Sequence, residues 1–284
     1  PAPPGPVIPD TPLPFAALRG ADADLHARIG TLGLGAETLR GVDTRLRSAG
    51  GALALSAQGT FGTAPIALTV TADAHDPPNV ALALNAPALP AATLLAALGQ
   101  PSFVAGTLAV TANLRGAGSS PHAIAASLDG VAAVTMRGGT IDARVLERAL
   151  GPLIARANPL GAVGGGQSEV RCLVARARAA HGTAQLAPLL LASSLITVDG
   201  SGRVDLATET LDLHLHPQGR AGGVDFSVPV TVTGGFRSPR FGTSEPDAAA
   251  AGVRTVLGVL AGKAGLGAAP AGPSCEAALA AARG

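Results

Sequence analysis

The chain has 284 residues, a formal charge of +1 and 47% hydrophobic residues, enough to bury the core of one large β domain or two ordinary domains. Six Phe with no Tyr or Trp, and Lys and Arg that are scattered, leave neither the stacking platforms nor the basic footprint of a nucleic-acid binder, so no nucleic-acid partner is expected. Gly and Pro together exceed a fifth of the chain and fall between alternating segments, which is the punctuation of a many-turned β protein.

Pro1 to Pro14 contains seven prolines and reads as an extended linker, because the residue before each proline is pushed out of the helical region. It has no basic n-region, and no run of about 18 uncharged apolar residues occurs, so neither a signal peptide nor a membrane span is expected within this chain. Ala21, Ala23, Leu25, Ala27 and Ile29 then alternate with Asp22, Asp24, His26 and Arg28, a period of two that means a strand with one dry and one wet face. Leu39 to Arg47, Leu53 to Gly59, Ile66 to Asp73 and Val80 to Asn85 repeat the theme. They are separated by SAGG, FGTAP and HDPPN, whose residues suit turns, so a meander of antiparallel strands is expected.

Pro90 to Leu98 spaces its apolar residues as a helix does and stops at Gly99. Val104 to Leu114 returns to strand, with Val104, Leu108, Val110 and Leu114 on one face. His122 to Leu128 reads as a short helix, Val131 to Arg137 as a strand, and Ile141 to Ala157 as an amphipathic helix kinked at Pro152. GAVGGGQS is a flexible loop, followed by strands at Val170 to Ala179 and Thr183 to Leu191.

The strictest alternation lies between Leu195 and Thr233. Leu211, Leu213 and Leu215 oppose Asp212, His214 and His216; Val224, Phe226, Val228, Val230 and Val232 oppose Asp225, Ser227 and Thr231. Ala207 to Thr210 is the expected hairpin loop. Arg237 to Pro246 reads as irregular, Asp247 as the N-cap of a helix running to Leu260, and Cys275 to Ala282 as a closing helix. The division is therefore a Pro-rich linker (1–14), a β domain (15–245) and a C-terminal helical closing segment (246–284). The fold class is mainly β: an extended, curved antiparallel sheet forming an apolar groove, with a few short helices capping it.

Chemical motifs are absent. The segment from Gly258 to Ala264 is one residue short of a phosphate-binding loop and lacks its Ser or Thr. Gly33 and Gly35 lack the third glycine of a dinucleotide fingerprint, and there is no G-x-S-x-G. His214 and His216 point the same way beside Asp212 and Asp205, but a zinc site needs three or four ordered ligands, so they are read as solvated strand surface. No catalytic residue, cofactor or metal site is assigned, and the chain is not expected to be an enzyme. Cys172 and Cys275 form no local redox motif; they are separate core thiols in a reducing compartment or a staple in an oxidising one.

Four segments carry a resemblance: Leu13 to Gly35, Ala126 to Asp142, Cys172 to Pro217 and Phe226 to Phe241. Their most specific part is a Cys before V-D-G-x-G-x-V-D-L (Val198 to Leu206), then alternating Leu and V-P-V-x-V-x-G. The chain resembles the C-terminal region of the AsmA family of bacterial envelope proteins. That resemblance implies a non-enzymatic protein of Gram-negative envelopes, lying in the periplasm and attached to the inner membrane through a segment not present in this chain. It further implies kinship with larger bridge-like proteins that hold lipid in a β groove, and a role in outer-membrane assembly and lipid homeostasis.

The partners implied are phospholipid or another acyl lipid, and envelope or outer-membrane assembly proteins. Candidate groove-lining residues are then Leu211, Leu213, Leu215, Val224, Phe226, Val228, Val230 and Val232. An oxidising periplasm also makes Cys172 and Cys275 a candidate disulfide, holding down a helix that has only Leu279 and several Ala to dock it. The competing reading is a protein-interaction module that modulates outer-membrane protein assembly without carrying lipid. A hydrolase or metal enzyme ranks behind both, for want of a triad or ligand cluster.

Overall fold

The computed structural model describes residues 6–20, 22–34, 37–62, 64–97, 99, 101–142, 144, 166–221, 224–227, 229–243 and 274–283. Period-two alternation makes these residues overwhelmingly strand. Thirteen strands follow one another along a single antiparallel path. The first five are β1 (Ala23–Leu34), β2 (Glu37–Ala49), β3 (Ala52–Phe61), β4 (Ala64–Asp73) and β5 (Asn79–Pro90). Next come β7 (Thr107–Ala117), β8 (Asp129–Arg137), β10 (Gln167–Ala180), β11 (Thr183–Ser193), β12 (Ile196–Asp205) and β13 (Thr210–Ala221), and the path closes with β15 (Val230–Gly235) and β16 (Ser238–Thr243). Three short strands lie off it: β14 (Val224–Ser227) pairs with β13, while β6 (Val104–Ala105) and β9 (Thr140–Asp142) pair with each other and extend from β10. β1 and β16 are the two ends of the path and do not pair with each other, so the sheet is open.

Register shifts interrupt the ladders at Arg40/Asp43, Ala86/Leu89 and Val170/Cys172, and at Leu186/Leu189, which lies opposite Ala175/Ala177. Each such bulge bends its strand and increases the local twist. The last of these accommodates Pro188, which has no N–H to give a regular ladder in a strand that is paired on both sides.

Several expectations are corrected. The strand expected from Val104 to Leu114 is two strands, broken at Gly106, whose φ of +137° turns the chain, so Val104 pairs with Ile141 on β9 while still packing against the cluster that contains Leu108. Ile141 and Asp142, expected to open a helix, are the end of β9; the rest of that helix lies outside the described residues except Arg144. Arg237 to Pro246 was expected to be irregular, but 238–243 pair with β15 as β16. Pro239 and Gly242 hide the alternation, and a proline is tolerated because β16 is an edge strand. The hairpin between β12 and β13 closes at Asp205 and Thr210, so its loop is 206–209, one residue earlier than the spacing predicts. The helix expected from Asp247 to Leu260 lies outside the described residues.

Short helices decorate the two rims of the sheet. α1 (Ala91–Ala97) follows β5 and packs Ala91 and Leu94 over Leu108, Met136 and Ile141. At the opposite rim lies α2 (Pro121–Ala126), whose N-cap Ser120 Oγ accepts from the Ala123 N–H at 3.1 Å.

Residues 6–14 are extended, as the prolines require, and lie along that same rim as a strap. Both carboxylate oxygens of Glu209 accept, at 2.7 Å each, from the N–H groups of Val7 and Ile8. Ser120 Oγ donates to Asp10 at 2.5 Å, and the Leu13 N–H donates to the Ser119 carbonyl at 2.7 Å. Beyond the strap, Phe15–Arg19 forms a 3-10 turn, and Arg19 reaches the Ala74 carbonyl. Three of the N–H groups that this Pro-rich segment retains, those of Val7, Ile8 and Leu13, are thus satisfied by the loops it crosses.

On the other face of the central strands lies α3 (Cys275–Arg283). Its Ala278, Leu279 and Ala282 are buried against Cys172, Val174, Leu190 and Ala192. Cys275 is joined to Cys172 in a disulfide with a Cα separation of 6.0 Å.

Two outcomes are expected from this packing. The bridge closes a span of 103 residues, so a Cys275→Ser variant should lose about 4 to 5 kcal/mol in the chain-entropy model. Urea unfolding of the variant beside the oxidised parent measures it, and two free thiols per denatured, unreduced parent chain would contradict the pairing. Separately, hydrogen bonds from Val7 and then Ile8 hold the Glu209 carboxyl below its usual range. The strap's contribution to stability is therefore complete above the unfolded-chain value and is lost as pH falls through the lowered folded value. Hydrogen exchange at Val7 and Ile8 should stay slow at neutral pH and become fast in Glu209→Ala.

Candidate functional site

Antiparallel pairing sets residues directly opposite one another on the same face, so a register can be followed from strand to strand. One such row begins Leu25, Leu46, Leu55, Val70, Leu82 and Leu114 across β1 to β7. It continues through Gly130, Ala179, Ala184 and Val204, and ends at Leu211, Gly234 and Pro239 on β16. No polar side chain interrupts it over all thirteen strands. At about 4.8 Å per strand this row spans roughly 58 Å of sheet.

Leu46, Leu55, Val70, Leu82, Leu114, Val204 and Leu211 are only half-buried, and Leu25 is 60% exposed. Toward the α1 rim the same face becomes true core, with Phe61, Ala86, Leu89, Leu108 and Met136 buried. The dry face therefore grades from packed at one rim to half-open along its middle.

The neighbouring row on the opposite face is polar at most positions: His26, Arg45, Ser56 and Thr69 at one end, and Gln185, Arg203, Asp212, Thr233 and Arg240 at the other. Asp43 lies 2.9 Å from His26 Nε2 and accepts from Arg28 Nε at 3.2 Å; contact with His26 above all, and then Arg28, holds its carboxyl below the usual range. His214 lies 3.3 Å from Asp212, and His216 lies 3.8 Å from Asp199; both imidazoles are exposed. Among the described residues no group of three His, Cys, Asp or Glu is placed to hold a metal ion, and no helix is long and apolar enough to cross a membrane.

Of the expected lining residues, Leu211, Leu213 and Leu215 share the dry face and stay half-buried, while Val230 and Val232 are buried beneath them. Val224 and Phe226 sit on β14, paired with Ala221 and Gly219 at the far end of β13. Val228 lies outside the described residues. The half-open stretch on β2 to β7 escaped the sequence reading of the site. Its alternation is visible in Leu53 to Gly59 and Ile66 to Asp73, yet the row that joins those strands exists only through their registers.

The glycines of the V-D-G-x-G motif now have a physical role. Gly200 and Gly202 face Leu215 and Leu213 on β13, and a Cβ at either would meet a leucine Cδ2 at 2.7 Å as well as the backbone carbonyl of His214 or Asp212. The absent side chains let the two leucines fold across β12.

A family model described as the AsmA family matches residues 2–189. The chain belongs to the AsmA family. The match covers the first two resembling segments and the start of the third, while the V-D-G-x-G hairpin lies beyond it. No curated protein and no solved structure matches the chain. In this AsmA-family sheet, Gly202→Ala should cost about 1 to 3 kcal/mol by pressing a Cβ against the Asp212 carbonyl and the Leu213 side chain, a loss that urea unfolding would resolve. An unchanged midpoint would mean that the β12–β13 ladder gives way freely at this position.

Proposed function

We propose that this protein is a non-enzymatic envelope protein whose dry face accommodates phospholipid acyl chains, and along which lipid moves in support of outer-membrane assembly and lipid homeostasis. The reading places it in the periplasm, held at the inner membrane through a segment outside this sequence. The observation that carries it is the uninterrupted apolar row, half-exposed over β2 to β7 and again at Val204 and Leu211. Each methylene transferred from water to such a surface contributes about 0.8 kcal/mol. One acyl chain fills about half of a hydrocarbon core that is roughly 30 Å thick. The open stretch from Leu25 to Leu114 crosses six strands, roughly 24 Å at about 4.8 Å per strand and so more than one chain-length, and the row reopens at Val204 and Leu211 beyond the buried Ala179 and Ala184.

The interaction-module reading draws on a different place, the buried Val230 and Val232, where the dry face is closed core and offers no acyl chain a surface. Its partners would be envelope or outer-membrane assembly proteins.

The test is lipid retention. Native mass spectrometry of the chain purified from a periplasm should show co-purified phospholipid. The paired variant Leu55→Asn/Leu82→Asn, which flanks Val70 on the half-open row, should lose most of that lipid while keeping its β circular dichroism. A folded variant that retains lipid at the parent level would refute the acyl path at this place.

A further inference from the structure

The two edges of the sheet are built differently. β16 is six residues long and carries Pro239 and Arg240, devices that blunt an edge against further pairing. β1 is twelve residues long and contains no proline; among the described residues it pairs only with β2. Its apolar side chains are also the exposed ones, with Leu25 at 60%, Ile29 at 40% and Leu32 at 38%. On its wet face Asp24, His26 and Arg28 stand two residues apart, all exposed.

We propose that the outer edge of β1 pairs antiparallel with β1 of a second copy, about a two-fold axis through His26. This register sets Asp24 opposite the partner's Arg28 twice, Leu25 opposite Ala27, and Ala23 opposite Ile29. Opposite charges then meet on the wet face while the apolar row runs on across the dyad. The other registers fit less well. A shift by one residue in the pairing sum would set dry face against wet face. A dyad at Ala27 opposes His26 to Arg28 and leaves Asp24 against Gly30. A dyad at Arg28 brings two guanidiniums together. A dyad at Leu25 draws on Asp22, which precedes the strand and already accepts from the Gly50 N–H. At the chosen dyad each Asp43 engages the His26 ring and the Arg28 Nε of its own chain, and the Arg28 side chain, 75% exposed, keeps its terminal nitrogens for the partner's Asp24. This pairing is independent of whether the dry face carries lipid.

Sedimentation velocity of the full chain over a range of concentrations tests it. The parent should dimerise. Asp24→Arg and Arg28→Asp should each weaken the dimer on the order of tenfold or more, because like charges then face each other. An equimolar mixture of the two variants should form heterodimers, since one then presents only cations and the other only carboxylates at these positions. As a second measurement, His26→Cys supplies a free thiol in a chain whose own two cysteines are bridged. It should oxidise to a covalent dimer far faster than Thr31→Cys, which the register places away from its own copy. A parent monomeric at every concentration, folded single variants that dimerise like the parent, a mixture that fails to associate, or equal oxidation of the two cysteine variants would each overturn the pairing.

Discussion

Everything in this fold depends on strand registers that preserve side-chain parity from one ladder to the next. A shift of one residue in any ladder would carry the dry side chains of every later strand to the wet face, because side chains alternate with a period of two. Across thirteen strands that parity is kept, and the four bulges bend the sheet without scrambling the row from Leu25 to Pro239. A meander suits such a constraint. Most connections on the path are short turns that return the chain beside the strand just made, so register is set locally, hairpin by hairpin.

Where the wet face departs from polarity, a helix covers it. Cys172, Val174, Leu190 and Ala192 are apolar on the side where the alternation elsewhere places Arg, Thr and Asp, and α3 lies over them with the disulfide at its first residue. It packs chiefly on β10, β11 and β8. The strap plays a comparable part at the rim. It runs past turns that belong to strands far apart in sequence, from Glu209 and Arg237 to Ser119, and with the 3-10 turn that follows it, whose Arg19 reaches Ala74, ties the two halves of an open sheet that has no second layer of strands among the described residues.

An open sheet with one apolar face is an unusual way to use apolar side chains, since a sandwich would bury the same surface fully. Among the described residues, burial on this face is completed near α1, at Ala179 and Ala184 on the row, and at Val230 and Val232 beside Leu211 to Leu215. Between those places the leucines and valines shield one another sideways and stay half-open.

Much of the chain was legible from residue order alone. Alternation marked nearly every strand, and turn chemistry at SAGG, FGTAP and HDPPN marked their separations, because both are local properties of the backbone. Edge and break positions were not legible: β16 hid behind Pro239 and Gly242, and the break at Gly106 looks, in sequence, like any glycine in a strand. The apolar path was legible only in part. Residue order showed which side chains alternate, but opposition across strands, the burial of Val230 and Val232, and the docking of a proline-rich strap onto Glu209 are long-range contacts. They were decided by tertiary structure, because partners two hundred residues apart leave no mark on either segment by itself.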